Sequence, residues 1–142
     1  MRIAVGSDHA GFSLKEFIKS HLAEGGYDVV DLGTDSDQSV DYTDFARLVA
    51  TSVADGEVDR GVLVCGTGIG MAMAANRFKD VRAAVVRDEN DAHLSRAHNN
   101  ANIVCLGARV TKPESAAELI DAFLSAEYEG GRHERRINKM DQ

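Results

Sequence analysis

The chain has 142 residues, 44% of them hydrophobic, and a formal net charge of −7. That length suits a single domain with an ordinary core, and the acidity speaks against a broad nucleic-acid surface, which is normally basic. No segment approaches the run of about 20 apolar residues that a membrane helix needs, and the N-terminus lacks the pattern of a secretory leader, so a soluble cytoplasmic protein is expected. Cys65 and Cys105 lie 40 positions apart, without metal-ligand spacing, and read neither as a disulfide scaffold nor as a zinc site.

Short apolar runs alternate with helical patterns along the chain. Ile3-Ala4-Val5 ends at Gly6-Ser7-Asp8-His9. Leu14, Phe17, Ile18 and Leu22 then recur at helical spacing, with Ser13 and Glu16 as an expected capping box and Gly25-Gly26 as the stop. The run Tyr27 to Leu32 ends at Gly33-Thr34-Asp35, and Phe45, Leu48, Val49 and Val53 form a second stripe. Val62-Leu63-Val64 meets Cys65-Gly66, followed by an Ala- and Met-rich helix from Gly70 to Arg77. Ala83 to Val86 ends at Arg87-Asp88, and Asp88 is the expected cap of a helix reaching about Ala97. Ile103 to Leu106 ends at Gly107-Ala108-Arg109, Pro113 marks a helix start, and a short basic tail helix follows Gly130-Gly131. This order predicts an α/β fold: a doubly wound, Rossmann-like sheet of five parallel strands, with helices on both faces and a short C-terminal tail helix.

In such sheets ligands bind beyond the carboxyl ends of the strands. That rule selects Asp8, His9, Cys65, Gly66, Thr67, Arg87, Asp88, Gly107 and Arg109. The turn Gly66-Thr67-Gly68-Ile69-Gly70 joins a strand to a helix, and its amides would face any anion at the helix start. The plain alternative is a tight turn with no ligand. A dinucleotide fingerprint needs glycine at the sixth position, where Met71 stands. A P-loop needs a lysine that is absent, and a cysteine phosphatase needs an arginine where Met71 again stands. The remaining reading makes Cys65 a base, since a helix start favours thiolate, and makes the amides a cradle for an enediolate oxygen. An isolated cysteine at a strand end is commonly core, and Cys105 is read so.

His9 and His98 each stand at an element end where an acid or base is useful, although singly each also reads as a polar surface residue or cap. His21 and His93 receive no role, and His133, beside the basic tail, is left open. Arg132 and Arg136 share a helix face, and with Arg109 they form a candidate phosphate clamp; a solvated charged terminus is the alternative.

Across essentially its whole length the chain resembles the type B ribose-5-phosphate isomerases, a family that includes galactose-6-phosphate isomerase subunits. The resemblance rests on Gly6-Ser7-Asp8-His9-Ala10-Gly11-Phe12, Asp41-Tyr42, Cys65 to Gly70, Ala74-Ala75-Asn76, Leu94 to Asn99 and Tyr128 to His133. It implies one sugar-phosphate isomerase domain over residues 1–142, interconverting ribose 5-phosphate and ribulose 5-phosphate. Cys65 would move a proton between C1 and C2, and Thr67 a hydroxyl proton between O1 and O2. Gly66, Gly68, Ile69, Gly70 and Asn99 would hold the enediolate. His98, with Asp8, would open the furanose ring, and Tyr42 would line the sugar pocket. His9, Arg109, Arg132 and Arg136 would hold the phosphate. One branch of the family places a glutamate base just after the turn; Met71 there assigns this chain to the cysteine branch. The resemblance further implies no metal and no organic cofactor, and a homodimer or homotetramer with interface active sites. The same chemistry on allose 6-phosphate, galactose 6-phosphate or a tetrose phosphate, and a non-catalytic nucleotide- or phosphate-binding module, are the alternatives.

Overall fold

The computed structural model describes residues 1–141. Among these the elements run β1 (Arg2–Ser7), α1 (Phe12–Glu24), β2 (Asp28–Asp31), α2 (Tyr42–Ala54), β3 (Arg60–Cys65), α3 (Ile69–Ala75), β4 (Ala83–Val85), α4 (Glu89–Ala97), β5 (Ile103–Gly107), α5 (Pro113–Ser125) and α6 (Arg132–Met140). Every strand pair is parallel, in the order β2-β1-β3-β5-β4.

The alternation of side chains along each strand divides the core into two halves. Ile3 and Val5, Val62 and Val64, and Val104 and Leu106 pack with α1, α4 and α5. Ala4, Leu63, Cys65, Ile103 and Cys105 pack with α2 and α3. The strands therefore read as apolar runs because both of their faces are covered. Each fully buried Ile, Leu or Phe contributes about 1.5–3 kcal/mol relative to exposure. β1 and β3 extend beyond their apolar runs into Gly6-Ser7 and Cys65, because ladder pairing is a backbone property.

Several local signals act as expected. Asp88 Oδ1 accepts the Asp91 N–H at 2.8 Å and caps α4, and Pro113 opens α5. Gly25 ends α1, and Gly26 turns the chain at φ 85°.

Other signals are overridden. The capping box of Ser13 and Glu16 does not form. Asp8 Oδ1 takes the Gly11 N–H at 3.1 Å, so the turn starts upstream, and α1 begins at Phe12 with no side-chain cap. Glu16 bonds Lys15 and Lys19 instead. Phe17 is exposed, while Lys15 is fully buried and places Nζ 2.8 Å from both carboxylate oxygens of Asp31. Burial alone would raise the Asp31 carboxyl, but hydrogen bonds from Lys15, Lys19 and the Gly33 amide hold it below its ordinary value. On α2, Ala46, Val49 and Ala50 face the core and Leu48 is exposed. The small residues let that helix lie close to the sheet.

Candidate active site

The strand order reverses between β1 and β3, with β2 outside β1 and the remaining strands beyond β3. Loops leaving the carboxyl ends of such a pair diverge, which leaves a crevice between them. A cavity of about 530 Å³ opens there. Asp8, His9 and Ala10 reach it from β1, and Cys65, Gly66, Thr67, Ile69 and Gly70 from β3. Tyr42 at the start of α2, Met73 on α3 and Arg109 beyond β5 complete its wall.

Cys65 closes β3 opposite Gly107, with its side chain on the α2–α3 side of the sheet. It is 5% exposed, and its Sγ accepts the Gly68 N–H at 3.1 Å. Gly68 itself takes φ 80°, a conformation that L side chains rarely adopt. A Cβ on Gly68 would also stand 3.0 Å from the Leu106 carbonyl carbon, so the turn is pressed onto β5. Two further glycines clear space for the walls. A Cβ on Gly66 would stand 2.8 Å from Arg109 Nη1, and one on Gly70 would stand 2.7 Å from the Tyr42 ring. The guanidinium and the phenol therefore lie directly against the turn.

Among the described residues, the N–H groups of Gly66, Thr67 and Gly70 make no backbone hydrogen bond. Such unpaired donors at a helix start can receive an anionic oxygen. The Ile69 N–H is already given to Thr67 Oγ1 at 3.2 Å, which leaves the Thr67 hydroxyl proton free to donate. His9 Nδ1 accepts the Val40 N–H at 3.1 Å, so the ring proton sits on Nε2. Asp8 is buried beside these groups, with one oxygen engaged by Gly11. Cys105 has a different environment: it is fully buried, and desolvation, with Cys65 adding to it, pushes its thiol up.

The protomer thus brings Asp8, His9, Tyr42, Cys65, Gly66, Thr67, Ile69, Gly70 and Arg109 to one cavity, with Gly68 beneath its floor. It does not bring His98, Asn99, Arg132 or Arg136 there. His98 ends α4 and stacks on His133 at 4.3 Å between ring centroids. Asn99 lines a second cavity of about 510 Å³ beside Asn76, Arg82 and Asp141. Arg132 and Arg136 are exposed on α6, one turn apart. Arg87 and Asp88, also at a strand end, lie outside the Cys65 cavity because β4 is an edge strand. Sequence reasoning missed Met73, which carries no chemical signal, and the grouping of Glu129 with His98 and His133. The four-residue spacing of Glu129 and His133 was the only cue to the latter.

The family described as Ribose/Galactose Isomerase matches residues 3–140. The chain is 49% identical over 139 residues to ribose-5-phosphate isomerase B of Escherichia coli, covering 98% of this chain and 93% of that protein. The structure of Clostridium thermocellum ribose-5-phosphate isomerase B superposes with a TM-score of 0.99 at 47% identity, covering 99% of this chain and 95% of that one. Ribose-5-phosphate isomerase B from Mycoplasma genitalium, solved with bound ribulose 5-phosphate, gives a TM-score of 0.95 at 46% identity, covering 99% of this chain and 93% of that one. With the family model, the sequence relatives and the solved folds all matched over nearly the whole chain, this protein belongs to the ribose/galactose isomerase family.

Proposed function

We propose that the protein interconverts ribose 5-phosphate and ribulose 5-phosphate by proton transfer through an enediolate, with the Cys65 thiolate as base. The observation that carries this is the placement of the Cys65 sulfur beside unpaired Gly66, Thr67 and Gly70 amides in one crevice. Removing a proton from carbon beside a carbonyl builds negative charge on the carbonyl oxygen. Preorganised amides stabilise that charge more in the transition state than in the substrate. The base then returns the proton to the neighbouring carbon, and the free Thr67 hydroxyl moves the proton between the two oxygens. Tyr42 bounds the sugar pocket, while His9 Nε2–H and the Arg109 guanidinium bind the remote phosphate. Phosphate binding offsets the loss of freedom of the open chain. No metal or organic cofactor enters these steps.

His98, Asn99, Arg132 and Arg136 reach substrate from a second copy of the chain. Two features support this. The cavity opens widely in the protomer, and its rim carries exposed apolar side chains at Tyr42, Ile69 and Met73, with Val110 next to Arg109. Contiguous apolar surface of this kind marks association. In the resulting homodimer or homotetramer, His98 of one copy and Asp8 of the other open the furanose ring, and the α6 arginines complete the phosphate clamp. Two free cysteines suit a reducing, cytoplasmic setting.

The test is the Cys65→Ser variant assayed with ribose 5-phosphate, allose 6-phosphate and galactose 6-phosphate. Wild type is expected to prefer the pentose, and the variant to lose roughly 10²–10⁴-fold in kcat, the range for a general base. A folded variant with near wild-type turnover overturns Cys65 as base. Sedimentation of Tyr42→Glu, Met73→Glu double variants is expected to show monomers without activity.

A further inference from the structure

Away from the Cys65 cavity, three side chains with metal-ligating atoms converge. His98 ends α4, Glu129 precedes the Gly130-Gly131 break, and His133 lies in the first turn of α6. The loop is tied in place: the Glu129 N–H donates to the Ala97 carbonyl at 3.0 Å, and the His133 N–H to the Gly130 carbonyl at 3.2 Å. Glu129 Oε2 stands 3.7 Å from His98 Nε2 and 3.4 Å from His133 Nε2. One ligand atom from each of the three residues lies within 4.8 Å of the others.

An independent observation points to a ligand. The His133 side chain is only 9% exposed, and its Nε2 is buried with no hydrogen-bond partner. Buried polar atoms are nearly always satisfied, so an orphan calls for a missing partner. The Glu129 carboxylate, the second member of the cluster, stands 3.4 Å from it.

The spacing suits a cation. Ligand bonds of about 2.0–2.2 Å in a tetrahedral site set neighbouring ligand atoms roughly 3.3–3.6 Å apart. The separations from Glu129 are at or just beyond that range. The two imidazoles stack with 16° between their planes, so a shared ion requires one ring to turn. His98, with 34% of its side chain exposed, has the room, while His133 is held by burial. Two imidazoles and one carboxylate suit zinc-like ions rather than magnesium or calcium, which take oxygen ligands.

We propose that His98, Glu129 and His133 form a binding site for a first-row transition-metal dication of the zinc and cobalt kind. The fourth position is left to water. The ion is not a cofactor: by engaging His98 it withdraws the group that opens the sugar ring, and so inhibits. That consequence rests on the isomerase reading of His98, whereas the binding does not.

The experiment is a Co²⁺ titration of the full chain followed by visible absorption, with Zn²⁺ calorimetry in parallel. One tetrahedral ion per chain is expected, with Kd weakened at least tenfold in Glu129→Gln and in His133→Ala and unchanged in Cys65→Ala. Glu129 is exposed, so its variant keeps the fold even where His133→Ala does not. Absence of a tetrahedral Co²⁺ spectrum overturns the site. So does a spectrum that Cys65→Ala abolishes and Glu129→Gln leaves intact, which puts the ion on the thiol. In the isomerase assay, Zn²⁺ inhibition is expected to weaken at least tenfold in Glu129→Gln. Binding without inhibition confirms the site and overturns the ring-opening role of His98.

Discussion

Gly68→Ala tests the turn that shapes the crevice, and Gly56→Ala supplies its control. The two glycines adopt nearly the same backbone, φ 80° at Gly68 and φ 74° at Gly56. A Cβ at Gly56 meets nothing within 4 Å, whereas one at Gly68 stands 3.0 Å and 3.2 Å from the carbonyl carbon and oxygen of Leu106. Both variants bear the left-handed penalty of about 1–2 kcal/mol. Both also gain alike from a stiffer unfolded chain. Gly68→Ala adds overpacking against the backbone of a buried strand, about 1–3 kcal/mol more. Urea denaturation at one protein concentration should therefore show Gly68→Ala less stable than Gly56→Ala by that second amount. Because the Gly68 N–H holds Cys65 Sγ and the turn carries the free amides, turnover should fall roughly 10²-fold in Gly68→Ala. It should be unchanged in Gly56→Ala, which lies in the turn between α2 and β3. Equal stability and equal turnover in the two variants would refute the account of the turn.

Arg109→Ala should raise the KM for sugar phosphate about 10- to 150-fold, the equivalent of about 1.5–3 kcal/mol for hydrogen bonds to a charged group. An unchanged KM would remove Arg109 from the phosphate site. Asp31 predicts an acid limb of stability. Its carboxyl is held below the ordinary value of 3.8, so the folded state binds fewer protons and the stabilisation is present above about pH 4 and fades as pH falls through the folded value. Asp31→Asn should be less stable at pH 7 and flatter in its pH dependence below pH 4; parallel acid profiles for variant and wild type would count against the Lys15–Asp31 pair as the source. Cysteine alkylation of the native protein should modify Cys65, with ribose 5-phosphate protecting it. Cys105, fully buried and with its thiol pushed up, should react only after unfolding; peptide mass mapping that finds Cys105 labelled in the native state would contradict this.

The apolar runs, the glycine stops and the strand-end rule were legible in the chain because each depends on local chemistry. Asp88, Pro113 and Gly25 punctuate helices through bonds or ring geometry that reach only a few residues. The pairing of Cys65 with a glycine turn was legible for the same reason, and the turn forms as read. Local signals failed where another group competed. Asp8, bonded to Gly11 only three residues on, displaced the capping box of Ser13, and Asp31, 16 positions away in the chain, drew Lys15 into the core while Phe17 stayed exposed.

The sequence by itself determined the alternating α/β order and which residue types stand at each strand end, Cys65 among them, since periodicity and residue type are written along the chain. Only the tertiary structure decided which strand ends meet. The reversal between β1 and β3 joins Asp8 and His9 to Cys65, and the return of α6 carries His133 to His98. Contacts between residues far apart in the chain follow from strand order and helix packing, which no local pattern encodes.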